Sequence, residues 1–352
     1  MTNLETRIIV LIMILRKNIK LFSAIAFIFC LNAACSHKET YVKTEGMIWN
    51  TIYHITYKGS PLLQDSVLPI LNEVSRSLSV FEKTSLVSRL NDTTELEIDS
   101  HFITVYEAAK RINMQSGGRF DPTVSPLVDA WGFGLGHQAG KDTLAIDSIL
   151  TFVGINKTQR NGNIITKEDK RIRFNFSAIA KGYGCDAVGE MFKRNGVKDF
   201  MVEIGGEIVL SGKSPTNKDW RIAIDAPVEE QNPGEEAAMI LSLTDVGVAT
   251  SGNYRNYRIE EGNKVAHTIS AITGRPYKSD ILSATVIASN CMEADGIATA
   301  CMASTSQEAK TLLERIDNIE GLLILSDSVW MTSGFHKYVI SKSSELGRTN
   351  QN

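Results

Sequence analysis

A chain of 352 residues, 43% of them hydrophobic, is long enough to bury a large core in one domain or two linked ones. Its formal net charge of −3 provides no basic footprint for nucleic acid, so that class of partner is set aside. Six scattered histidines and five cysteines without CxxC spacing argue against a zinc site of the HExxH kind and against a disulfide framework.

The first feature in chain order is a targeting segment. Arg16, Lys17 and Lys20 form a basic region, 21–31 (LFSAIAFIFCL) an apolar one, and 32–35 (NAAC) a small-residue site ending in cysteine. The pattern resembles a bacterial lipoprotein signal cleaved before Cys35, which would then carry the lipid. A simple membrane anchor and an ordinary secretory signal are the alternatives, and Met13 is an alternative start. Each reading puts the folded part outside the cytoplasm; the lipoprotein reading anchors it on the periplasmic side of the inner membrane. The expected division is signal 1–35, polar tether 36–45, folded domain 46–341 and tail 342–352.

Residues 47–58 (MIWNTIYHITYK) alternate as a strand, with Ile52, His54 and Thr56 on one face and Tyr53, Ile55 and Tyr57 on the other. Apolar spacing predicts a helix over 65–81 and another over 102–115, separated by a polar segment at 85–91. The run 117–136 (GGRFDPTVSPLVDAWGFGLG) combines glycine, proline and aromatics and reads as an ordered loop, because aromatics need something to pack on. Segments 163–166 and 171–175 are expected to pair as a hairpin feeding a helix within 174–196.

That helix is the densest feature of the chain. Ser177 is its expected N-cap, and Gly182, Gly184 and Gly189 each cost about 1 kcal/mol against alanine in a helix interior. Something must approach its backbone closely. Lys181 stands in the first turn, where the helix dipole favours an anion, which suggests a bound phosphate attracting both. Close packing of the helix on a sheet, with Lys181 solvated, is the other reading.

Strands then dominate, at 200–204, 207–210, 220–225, 239–243, 248–251, 254–260, 265–270, 281–289, 321–325, 329–332 and 337–340. Helices are expected at 291–303 and 306–316. Strands that outnumber helices without alternating with them predict an α+β fold, layered, with a mostly antiparallel sheet and packed helices. Two apparent nucleotide motifs fail. Gly134-x-Gly136-x-x-Ala139 lacks a preceding strand, and 206–214 (GEIVLSGKS) has five residues between its glycines where a P-loop needs four.

Asp295 and Thr299 are spaced i, i+4 and share a helix face, offering oxygen to a hard cation such as Mg²⁺. A back-bonded threonine and a first-turn acid are the plain structural alternative. His267, at a strand end ahead of a tight turn at 273–276, has the chemistry of a general base. Asp121 is a short carboxylate in a rigid loop.

Taken in order, 85–91 (SLVSRLN), 118–134 (GRFDPTVSPLVDAWGFG), 177–186 (SAIAKGYGCD), 203–206 (EIGG), 267–276 (HTISAITGRP) and 294–300 (ADGIATA) resemble the FAD:protein FMN transferase family, also called ApbE, over about 46–340. The resemblance implies a T-fold-like layered α+β domain with its flavin site in a cleft. It also implies an enzyme that cleaves FAD and attaches FMN through a phosphoester to a threonine or serine of another protein. It carries Asp295 and Thr299 over as side-chain Mg²⁺ ligands, with Ala178 and Ala298 approaching the metal through backbone oxygen. Lys181, Arg119, Phe120, Asp121 and Ile269 carry over as FAD-binding positions, and His267 as the base.

Four positions depart from the family pattern. Trp49 stands where the flavin-covering methionine is usual, Phe81 for a common tyrosine, Asn175 for an aspartate, and Ser270-Ala271 for Asp-Pro. The implied acceptors are extracytoplasmic flavoprotein subunits of redox complexes of the sodium-pumping (Nqr) or Rnf type. An FAD pyrophosphatase and a non-catalytic flavin-binding lipoprotein are the competing expectations.

Overall fold

The computed structural model describes residues 40–133, 143–226, 237–252, 257–260, 263–266, 268–276 and 279–342. Backbone contacts divide the chain into 1–40 and 41–352, and all described elements belong to the second unit. Strands β1 (Tyr41–Ile48) and β2 (Thr51–Lys58) precede helices α1 (Val67–Leu78) and α2 (Leu86–Asn91). Then come β3 (Glu95–Glu97), α3 (Ser100–Gln115), α4 (Ser125–Ala130), α5 (Thr143–Leu150), β4 (Thr158–Asn161), β5 (Ile164–Lys167) and α6 (Ala180–Arg194). Strands β6 (Phe200–Ile204), β7 (Glu207–Ser211), β8 (Trp220–Asp225), β9 (Ala237–Leu243), β10 (Gly247–Gly252), β11 (Tyr257–Glu260), β12 (Asn263–Ala266) and β13 (Ile281–Ala288) follow. The chain closes through α7 (Cys291–Met302), α8 (Ser306–Arg315), β14 (Glu320–Leu325), β15 (Val329–Met331) and β16 (Val339–Lys342).

Eight strands form the main sheet in the order β1-β2-β6-β7-β10-β13-β14-β15, and each neighbouring pair runs antiparallel. Its central strands are buried on both faces, so they read as nearly continuous apolar runs. Alternation sorts them: Val209, Ala249, Ala284, Val286 and Leu323 face the helices, while Ile208, Leu210, Val248, Ile287, Leu322 and Ile324 face the opposite way. On that second face the sheet β16-β9-β8 packs, contributing Trp220, Ile222, Ile224 and Leu241. The result is the layered, mostly antiparallel α+β architecture expected from the order of elements.

Several local expectations are corrected. The strand expected over 47–58 is a hairpin, reversing at Trp49 and Asn50, both at positive φ (52° and 58°), as a two-residue turn of matching twist requires. Because β1 starts at Tyr41, residues 41–45 belong to the sheet and not to a tether. The polar segment at 85–91 contains α2, whose N-cap Ser85 accepts from Ser88 N. The small hairpin is β4–β5, joined by β3; residues 171–175 are not a strand, and only Arg173 makes an isolated bridge, to Val124. Residues 335–338 form a 3₁₀ turn, so the closing strand begins at Val339.

Helix α6 begins at Ala180 after Ile179, which supplies no side-chain cap, so the expected capping by Ser177 does not occur. Its glycines are explained by protein neighbours. A Cβ on Gly182 would lie 2.4 Å from the Cys291 carbonyl oxygen, on Gly184 2.5 Å from the Trp49 ring, and on Gly189 3.2 Å from Phe200. What approaches this backbone is therefore protein, through close packing of α6 against α7, the hairpin turn and β6. Gly182→Ala is expected to force α6 and α7 apart and cost about 1–3 kcal/mol, the range for overpacked cores. Urea unfolding at neutral pH, with the midpoint compared to the parent chain, measures it.

Candidate active site

Two buried ties hold the segment that leads into α6. Asn91, the last residue of α2, donates Nδ2–H to Phe174 O (2.9 Å) and accepts from Phe174 N (2.7 Å). The Lys167 ammonium, 6% exposed, donates to the carbonyls of Leu90 and Ile172, both at 2.8 Å. Burial pulls its pKa down to about 8, and these carbonyls stand in for the water it has lost. Downstream, Asn175 N donates to Pro122 O (2.7 Å) and the Asn175 side-chain oxygen accepts from Ser177 N (2.9 Å). This amide therefore performs a turn-forming job that an aspartate could share.

Across from α6, helix α7 is started twice over. Asn290 accepts from Glu293 N (2.8 Å), and Asp186, projecting from α6, accepts from Cys291 N (2.9 Å) and Met292 N (2.8 Å). A carboxylate on free N–H groups at a helix start is favoured by both hydrogen bonding and dipole, by roughly 1 kcal/mol or more. Burial acts the other way and raises the Asp186 pKa to about 7.

With the two helices so fixed, Lys181 and Asp295 converge. Lys181 Nζ lies 3.1 Å from Glu207 Oε1 and 3.9 Å from Asp295 Oδ2. Asp295, 2% exposed, also accepts from Gly182 N (3.1 Å). Burial works against the lysine's charge, but Asp295 and then Glu207 outweigh it and hold the ammonium above its ordinary value. Glu207 is pushed up, by burial first and by Asp295 second. Its second oxygen, Oε2, is buried with no hydrogen-bond partner among the described residues. Lys181 is thus held between two carboxylates and not simply solvated, with 31% of its side chain still exposed.

One turn along α7, Thr299 Oγ1 donates to Ala178 O at 3.3 Å and lies 3.5 Å from Ser251 Oγ of β10. Two oxygens bound to one Mg²⁺ at 2.0–2.1 Å in octahedral geometry sit about 3 Å apart. The Thr299–Ala178 pair is close to that spacing. Together with the Asp295 carboxylate it makes an all-oxygen donor set of the hard type, so the residues fit the ion. Ala298 is fully buried within α7. Among the described residues no group of three or more His, Cys, Asp or Glu side chains is gathered as a cage.

Above this floor lie two cavities of about 510 Å³ each. The first is lined by Ile48, Trp49, Asn50, Asn72, Ser75, Leu78, Phe81, Ser177, Ala180 and Lys181. The second is lined by Lys83, Ser88, Asn91, Asp92, Ser125, Asp129, Phe133, Arg173 and Asn175, and it shares Val80 and Phe81 with the first. The Trp49 indole packs on Gly184 and donates Nε1–H to Ser75 Oγ, which compensates the strained backbone at this residue. Phe81 is 65% exposed and stands between the cavities.

The remaining candidates lie on the loop after α3 and at the bridge between Ile269 and Pro276. Phe120 and Ile269 are buried, 2% and 5% exposed. Asp121 accepts from Thr123 N (2.8 Å), Thr123 Oγ1 (2.6 Å), Ile155 N (3.0 Å) and Asn113 Nδ2 (3.1 Å), so its carboxylate organises its own loop. Arg119 pairs with Glu308 of α8 through both guanidinium and carboxylate forks. The turn after Ile269 is tied to the same loop by Trp131 Nε1–H on Gly274 O (2.7 Å). His267 and Cys35 lie outside the described residues. Sequence reasoning missed Glu207 and Ser251. The first had one signal, an acid opening an otherwise apolar strand (EIVLS) at a position whose parity faces α6.

A roomy cleft with Trp49 and Phe81 in its walls and Lys181 in its lining suits a large aromatic ligand bearing phosphates. The model of the ApbE family matches residues 49–323, and this chain belongs to that family. Proteins named FAD:protein FMN transferase are similar to it. The one from Vibrio cholerae is 34% identical, covering 88% of this chain and 94% of its own, and that from Haemophilus influenzae is 32% identical, covering 93% and 100%. Among solved structures, the flavin transferase ApbE from Vibrio cholerae superposes with a TM-score of 0.76 at 31% identity, covering 85% of this chain and 99% of that one. The apo flavinyl transferase ApbE from Pseudomonas stutzeri gives 0.78 at 27% identity, covering 87% and 98%.

Arg119 and Thr305 N together hold the Glu308 carboxyl down to about 2, the arginine being the larger cause. A depressed acid stabilises the fold above its unfolded value near 4.5 and loses that contribution as pH falls toward 2. Glu308→Ala, which also removes the capping box of α8, is expected to lower stability by about 1 kcal/mol at pH 7. The difference from the parent should shrink steadily below pH 4.5 in denaturant titrations run across pH.

Proposed function

We propose that this chain is a Mg²⁺-dependent flavin transferase that cleaves FAD and attaches FMN by a phosphoester bond to a threonine or serine of an acceptor protein, releasing AMP. The convergence of Lys181 and Asp295 beside the Thr299–Ala178 oxygens, at the edge of the cleft walled by Trp49 and Phe81, carries this reading. The acceptor hydroxyl oxygen bonds to the FMN-side phosphorus, the bond from that phosphorus to the bridging oxygen breaks, and AMP leaves with that oxygen. His267 takes the hydroxyl proton.

Within the described residues, Lys181 offers its ammonium to the phosphate oxygens. Trp49 and Phe81 present ring faces to the flavin or adenine. Asp295, Thr299 and the Ala178 carbonyl would hold the Mg²⁺, with Ala298 contributing through its backbone; when bound, the ion neutralises charge that builds on the diphosphate. Asn175 keeps the turn before α6 in place. The targeting segment supports an extracytoplasmic enzyme anchored through Cys35 to the periplasmic side of the inner membrane. Its acceptors are flavoprotein subunits of redox complexes of the Nqr or Rnf type.

The test incubates the full chain with FAD, Mg²⁺ and a candidate acceptor, then reads intact masses. A covalent FMN adduct on the acceptor with AMP released is the expected result; free FMN with AMP would make the chain a pyrophosphatase, and unchanged FAD a binding protein. Asp295→Asn is expected to cut the transfer rate by at least ~100-fold. Parent-level turnover in that variant would remove the metal assignment.

A further inference from the structure

The cluster contains one more carboxylate than its lysine can offset. We infer that Glu207 is a positioning residue: it holds the Lys181 ammonium on the β7 side of the pocket and so keeps the Asp295 carboxylate available to a divalent cation. This rests on the metal reading above and deepens it.

The geometry is asymmetric in the required sense. Lys181 Nζ is within hydrogen-bond distance of Glu207 Oε1 at 3.1 Å, while Asp295 Oδ2 stands off at 3.9 Å. Glu207 opens β7 and is 4% exposed, so its side chain is fixed by the sheet. Asp295, by contrast, is on α7, one turn from the Thr299 hydroxyl. Without an acceptor on β7, Asp295 is the carboxylate left within reach of the ammonium. A lysine that closed on it would occupy the carboxylate on which the cation depends. The unpartnered Glu207 Oε2 is consistent with a group retained for where it holds its neighbour, since the oxygen gains no bond of its own among the described residues.

The experiment measures ion binding to the full chain directly, with Mn²⁺ as an electron-spin-resonance probe displaced by Mg²⁺ and no flavin present. Glu207→Ala is expected to weaken binding by ~10-fold or more. Glu207→Gln keeps an acceptor oxygen at the same reach and should recover most of it. The double variant Glu207→Ala/Lys181→Met should bind better than Glu207→Ala alone, because the competing ammonium is gone; a merely structural role for Glu207 would not produce that recovery. Parent-like binding by a folded Glu207→Ala chain overturns the inference, as does a double variant no better than the single one. If Glu207→Ala does not fold, the Gln variant decides: binding ~10-fold weaker than the parent there overturns the acceptor role. A parent chain that binds no ion, or binds it equally after Asp295→Asn, overturns the metal reading itself and this inference with it.

Discussion

The contact between α6 and α7 is the constraint from which the site follows. Gly182 has no room for a methyl group against the Cys291 carbonyl, and Asp186 reaches across from α6 to close the first N–H groups of α7. Two helices pinned at that spacing bring a lysine from one beside an aspartate from the other, above a strand that supplies a glutamate. The same spacing sets Ala178, just ahead of α6, against Thr299.

The supports behind that spacing come from distant parts of the chain. Asn91 and Lys167 fix the segment at 172–174, Asp121 and Thr123 fix the loop that touches it, and Trp131 ties that loop to the turn at Gly274. Each tie is a side chain bonded to backbone, which positions a loop more exactly than apolar contact alone. The order of short motifs along the sequence reflects this division of labour. Several of them never line the cleft and instead hold the segments around it.

Much of the fold was legible. Helices α1, α3, α6, α7 and α8 and most main-sheet strands follow from apolar period and turn residues, because those signals are local. The hairpin turn at Trp49-Asn50 was hidden because a tryptophan at positive φ is a tertiary outcome, held by Gly184 and Ser75. The glycines of α6 showed that something approaches closely, but a sequence does not record what it is. Asp121 drew attention as a carboxylate in a rigid loop and Arg119 through the family resemblance; one organises its own loop and the other pairs with Glu308. Glu207 escaped because its one local signal, an acid opening the apolar strand β7, does not reveal the distant lysine that partners it.

Phe81 stands between two cavities of equal size and belongs to both. A ligand long enough to fill both is gripped at two ends, with this ring beside its middle. Breaking such a ligand between the ends turns one tightly held molecule into two weakly held ones, because each fragment loses the other's share of the grip.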